Sequence, residues 1–209
     1  NNLVGGNATA LNGINVQNVN AGNISGNTVT GHSRSAPWAG AGIAVWNVNG
    51  INLDNNIVNG NFYGIGLQDN THDIWVVSNQ MTDNIKRAIT LDASNDNHIT
   101  SNTINGPAAG GDDVVIGLAN GSTGNIIGGS TPADGNTITM ASTGTWANPG
   151  LLYAIYIQGD VGTGSNIIQY NTISGGKTAI QVDGGNSGTT QILNNTINNT
   201  PLGPEYPGF

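Results

Sequence analysis

The chain has 209 residues, with 4 Lys+Arg against 12 Asp+Glu, a formal charge of −8 and only 8% charged positions, where an ordinary soluble domain carries about 25%. Four scattered cations neutralise few phosphates, so nucleic acid is excluded as the main partner, and no apolar run approaches the ~20 residues that span a bilayer. Glycine fills 33 positions, asparagine 34 and cysteine none, so the surface is built from amides, and disulfides, thiolate nucleophiles and Cys-based zinc sites are absent. That length fits one domain or one extended repeat array. The opening Asn1-Asn2-Leu3-Val4, without Met or a basic leader, reads as a processed form or an excised segment.

Apolar residues recur in chain order at a fixed interval. The alternating pair Ile14/Val16 precedes an aliphatic-x-x-Asn-x-aliphatic segment, Ile24/Asn27/Val29. Ile43/Val45 then leads to Leu53/Asn56/Val58, Ile65/Leu67 to Val76/Asn79/Met81, and Ile89/Leu91 to Ile99/Asn102/Ile104. A split segment, Ile127/Asn136/Ile138, follows. Ile155/Ile157 leads to Ile168/Asn171/Ile173, and Ile180/Val182 to Ile192/Asn195/Ile197. The anchor asparagines are 29, 23, 23, 34, 35 and 24 residues apart, a basic turn of about 23 with insertions in three turns.

Each repeat therefore holds at least two short period-2 strands between Gly/Asn/Asp/Ser corners. Such a unit cannot bury its apolar face alone, but stacked copies share one core and pair as parallel ladders. The spacing predicts an all-β, single-domain parallel β-helix of seven to eight coils over residues 1–200, and a Pro-rich tail over 201–209. Propeller repeats of about 40–50 residues do not fit.

The strings Asn23-Ile-Ser-Gly-Asn-Thr-Val29, His98-Ile-Thr-Ser-Asn-Thr-Ile104 and Gln191-Ile-Leu-Asn-Asn-Thr-Ile197 resemble right-handed parallel β-helix proteins with pectate-lyase-like and NosD-like repeats. The resemblance covers nearly the whole chain. It implies a right-handed coil, an extracellular or cell-surface location and a glycan-facing role. For activity it is weak, because this fold hosts lyases, hydrolases, epimerases, tailspikes and adhesins.

The repeated asparagines fall at a corner, where each side chain can bond the turn backbone and the next coil's asparagine about 4.8 Å away. His32, His72 and His98 lie at different phases of the repeat, which argues against a histidine metal site and for surface or corner roles. Gly110-Gly111 and Gly128-Gly129 precede neither a Lys-Ser/Thr pair nor a helix, so they read as corners rather than phosphate loops.

Unusual chemistry gathers at one corner. The chain passes from Val58 to Ile65 quickly but makes long excursions from Val29 to Ile43 and from Ile138 to Ile155. That corner collects His32, Arg34 and Trp38, then Phe62 and Tyr63, Lys86 and Arg87, Asp112 and Asp113, Trp146 and Tyr153, and Lys177. Aromatic and arginine side chains enrich recognition surfaces, so Trp38, Tyr63, Arg87, Trp146 and Tyr153 are the candidate ligand-binding residues. The alternative is that the aromatics cap long loops and the charges solvate them. A further column, Gln68, Asp92, Gln158 and Asp183, reads as a solvated polar ladder.

Gly111-Asp112-Asp113-Val-Val-Ile116 resembles the Gly-Asp-Asp-x-x-Ile stretch of polygalacturonase-type glycosidases, in which paired carboxylates serve as acid and base. This chain has Lys86-Arg87 where those enzymes carry a further Asp, and it lacks their Gly-His-Gly and Arg-x-Lys elements. A lyase would instead pair an acidic calcium cluster with a basic proton acceptor, an arrangement open to Asp83, Asp112 and Asp113 with Arg87. The leading expectation is a non-catalytic extracellular β-solenoid, without cofactor, metal, nucleic acid or membrane insertion. It would serve as a structural surface, fibre or adhesin component that self-associates through its ends or tail. The alternatives are a polysaccharide lyase or glycoside hydrolase, or a tailspike-like glycan binder, using the lengthened-corner face.

Overall fold

The computed structural model describes residues 2–34, 39–106, 114–140, 153–159, 164–184 and 189–198. They form about seven coils of about 25 residues wound into three parallel sheets. The first sheet has eight strands, from Leu3–Gly5 to Thr196–Asn198; the second has seven, from Ile14–Gln17 to Thr178–Val182; the third has seven, from Asn20–Ser25 to Gln191–Leu193. Each strand pairs with its counterpart one coil away, so the hydrogen bonds of the ladders run along the solenoid axis.

One coil shows why the sequence winds this way. Tyr63–Gln68 alternates so that Ile65 and Leu67 point into the core, both fully buried. Asp69 and Asn70 then take left-handed backbone, which amide and carboxylate side chains tolerate better than branched ones, and the chain turns. Thr71 seals the turn by donating its hydroxyl to the Gln68 carbonyl at 2.6 Å. Trp75–Val77 forms the third-sheet strand with Val76 inward, Ser78 turns left-handed, and Asn79 leads into Gln80–Thr82 with Met81 inward.

Stacking aligns like with like. Val29, Val58, Met81, Ile104, Ile138 and Ile173 form one inward column in register. Ile43, Ile65, Ile89, Ile116, Ile155 and Ile180 form a second. Leu53, Val76, Ile99, Ile127 and Ile168 form a third. Each buried aliphatic contributes about 1.5–3 kcal/mol of transfer free energy, and the three columns meet in one continuous core.

Two features refine the expected repeat. The aliphatic-x-x-Asn-x-aliphatic segment is two strands of different sheets bent at a buried asparagine, so a coil has three strands. The fifth coil does have an alternating pair, Ile116/Leu118 in Val114–Ala119, in register with Ile89/Leu91. The split anchor is a true member: a 3-10 turn at Pro132–Asp134 takes up the insertion and returns Ile138 to register with Ile104. The tail at 201–209 lies outside the described residues.

Candidate functional site

The anchor asparagines are structural. From Asn27 through Asn56, Asn79, Asn102, Asn136 and Asn171 to Asn195, each Nδ2 donates to the next Oδ1 at 2.8–3.1 Å. Each backbone N–H bonds that same oxygen. A second ladder, Asn97–Asn125–Asn166, lines another corner, and a third joins Asn61 to Asn84. These side chains are saturated by one another and have little left for a ligand.

The histidines occupy three unlike settings. His32 is a buried corner residue, 6% exposed, rather than a surface one. Its N–H donates to the Asn61 Oδ1 at 3.0 Å, and its Nδ1 lies 3.1 Å from the Leu11 carbonyl oxygen. His72 Nδ1 lies 2.8 Å from Asp73 Oδ2. His98 stacks on the exposed Trp75 one coil away, with ring centroids 4.0 Å apart and planes 3° from parallel. Burial pulls its pKa below the ordinary value, and the carboxylates of Asp73 and Asp96 partly oppose that shift. Among the described residues no group of three or more His, Cys, Asp or Glu side chains is arranged to hold a metal ion.

The outer face of the second sheet is different. Tyr63 and Arg87 stand directly in register on adjacent coils, and Val114 and Tyr153 occupy the same position on the next two strands. Beside them runs a column of small residues, Ala44, Gly66, Thr90 and Gly117, ending at Tyr156 and Gln181. The third column holds Trp46, Gln68, Asp92 and Ala119. The low middle column makes a shallow groove of about 190 Å3, with Thr90 and Ala119 in its lining, Tyr63, Lys86 and Arg87 on one side, and Asp92, Asn120 and Gln158 on the other.

Polar groups here are held in place. Asn120 Nδ2 donates to Asp92 Oδ1 at 2.6 Å. Tyr156 stacks on Tyr153 with centroids 5.3 Å apart, and its hydroxyl donates to Asp183 Oδ2 at 2.7 Å. The Gly159 N–H donates to the same carboxylate oxygen at 3.2 Å. The Gln68/Asp92 ladder is thus not simply solvated: both residues are buried, and Ala119 interrupts the column. Thr90 is 2% exposed, and its Oγ1 has no hydrogen-bond partner. A buried hydroxyl left unpaired costs about 1–3 kcal/mol.

Of the residues singled out from the sequence, Tyr63 and Arg87 are brought together in this groove. Tyr153 lies on the same outer face, stacked on Tyr156. Trp38, Asp112, Asp113 and Trp146 lie outside the described residues. Sequence reasoning missed Thr90, Gly117 and Tyr156. The usable signal was outward parity within Arg87–Asp92, which sets Thr90 in one column with Ala44, Gly66 and Gly117.

A three-sheet parallel solenoid with a polar groove on one outer face defines the class of protein. Residues 1–132 match the family model described as right handed beta helix region, and the chain belongs to that family. No curated protein matches the sequence. The fold is consistent with surface or glycan-related roles.

Proposed function

We propose that this β-solenoid is a non-catalytic, extracellular glycan-binding component, adhesin-like in use, that holds an extended acidic polysaccharide on the outer face of its second sheet. The observation that carries the reading is Thr90 Oγ1, buried and unpartnered inside a groove walled by Tyr63, Lys86 and Arg87 and by Asp92 and Gln158. Sugars present hydroxyls and carboxylates to such groups and apolar ring faces to tyrosine. Lys86 and Arg87, two of the four cations of the chain, both line this groove.

The non-catalytic part belongs to the proposal, and the candidate acids Asp112 and Asp113 lie outside the described residues. A hydrolase of the paired-carboxylate type needs two acids flanking the scissile bond, and among the described groove residues Asp92 alone carries one, already accepting from Asn120. The groove supports a glycan-holding reading within the wider expectation of a surface scaffold.

Calorimetric titration with oligogalacturonates, alginate oligomers and a neutral glucan tests it. Wild-type protein should bind an acidic oligomer, Arg87→Ala should weaken binding at least tenfold, and Thr90→Val about fivefold. No binding to any acidic oligomer, or equal binding by Arg87→Ala, overturns the reading. Release of unsaturated products in the presence of calcium overturns its non-catalytic half. Light scattering on the same samples checks self-association.

A further inference from the structure

Gly117 lies in the coil after Arg87, in register with Thr90 on one side and Tyr156 on the other. A Cβ placed on Gly117 would stand 2.7 Å from Arg87 Nη1, 3.1 Å from Cζ and 3.4 Å from Cδ. The Arg87 side chain therefore leaves its own strand, crosses to the next coil and fills the space that a side chain at Gly117 would need. Glycine inside a strand weakens it and usually marks a close approach. Gly117 is not among the residues with positive φ, so the backbone itself does not demand glycine here. The demand comes from the guanidinium.

We infer that Gly117 is a positioning residue for the groove: its missing side chain is the bed that holds the Arg87 guanidinium one coil beyond its own strand, between Thr90 and Tyr156. The inference rests on the reading of the groove as a glycan site. It moves the anchoring charge from the position where the sequence places Arg87, beside Tyr63, to the middle column, beside the unpartnered Thr90 hydroxyl. One anionic substituent of a sugar can then meet an N–H of Arg87 and the O–H of Thr90 together, and a guanidinium already seated over Gly117 is pre-organised for that contact.

A ligand-free measurement and a ligand-binding one together test this. In the wild-type protein without ligand, NMR should show contacts between the Arg87 δ-protons and the Gly117 α-protons; their absence overturns the inference whatever the groove binds. With an oligogalacturonate as probe, Gly117→Ala should weaken binding at least fivefold while its melting temperature stays equal or rises. In an Arg87→Ala background the same change should have no further effect on affinity. Wild-type affinity in Gly117→Ala, or an equal loss in the Arg87→Ala background, overturns the positioning role. Failure of the glycan reading shows differently, as equal binding by wild type and Arg87→Ala, with the NMR contact still deciding where the guanidinium lies.

Discussion

Asn79 donates twice to one atom, Asn102 Oδ1, through its backbone N–H at 2.9 Å and its Nδ2 at 3.1 Å. Its own Oδ1 accepts the matching pair from Asn56 at 2.9 and 3.0 Å, and its Nδ2 also reaches the Leu53 carbonyl at 2.8 Å. At 1% exposure no water can replace these bonds. Asn79→Ala strands the Asn56 N–H and the Leu53 carbonyl, and at about 1–3 kcal/mol per stranded group the loss should be about 3 kcal/mol. Urea unfolding measures it, with the exposed Asn23→Ala expected within about 0.5 kcal/mol of wild type.

Glycines in the strands are not equivalent. A methyl on Gly64 would run into the Ala88 carbonyl oxygen and stand 3.0 Å from Asn84 Nδ2, whereas on Gly22 its nearest neighbour is Ile51 Cγ2 at an ordinary 3.6 Å. Gly64→Ala should cost about 1–3 kcal/mol. Gly22→Ala should be neutral or stabilise by about 0.5 kcal/mol, since it removes freedom from the unfolded chain. Thermal melts of the two variants separate the cases.

Acid should weaken the third sheet. Burial favours neutral His98 in the folded protein, so the folded pKa lies below the ordinary 6.5 and the unfolded chain binds the proton first. Stability from this group is full above the unfolded value and falls as pH drops through 6.5 toward the folded pKa. Asp73 and Asp96 limit the fall. Melting temperatures at several pH values between about 7.5 and 5 should decline less in His98→Gln than in wild type. Parallel profiles for the two proteins would contradict the assignment.

Tyr156 combines a hydrogen bond with a stack. Tyr156→Phe removes the 2.7 Å bond to Asp183 Oδ2 but leaves the ring on Tyr153, and should cost about 1 kcal/mol. Tyr156→Ala also removes the stack, and its further loss should be about 1 kcal/mol. Denaturant midpoints of both variants give the two values.

Much of this architecture is readable from the chain, because the inward columns are chemically uniform. The aliphatics around Asn27, Asn56, Asn79 and Asn102 repeat at nearly constant spacing, and the core selects that pattern coil after coil. The third strand per coil was less visible: Ile99 and Ile104 look like one motif until the buried Asn102 between them is seen to be a corner. His32 is a corner residue, but its burial was not legible, because exposure depends on which residues face it; here Gly6 and Gly13 leave the room that its ring fills. The groove was half legible. Tyr63 and Arg87 stand out by type, but Gly117 matters through what it lacks, and only the path of the Arg87 side chain reveals that.

Register between neighbouring coils makes length itself a free variable of this molecule. Thr103 occupies in its coil the place of Gln80 in the one before, and Asn102 the place of Asn79, 23 residues earlier. Excising residues 80–102 would return the chain to the same phase, with Thr103 following Asn79 and every inward column shortened by one aliphatic member. The duplication of such a segment would extend the columns in the same way. The turn is therefore the unit in which this protein can gain or lose material, and a groove spread over several turns can be lengthened without redesigning any one of them.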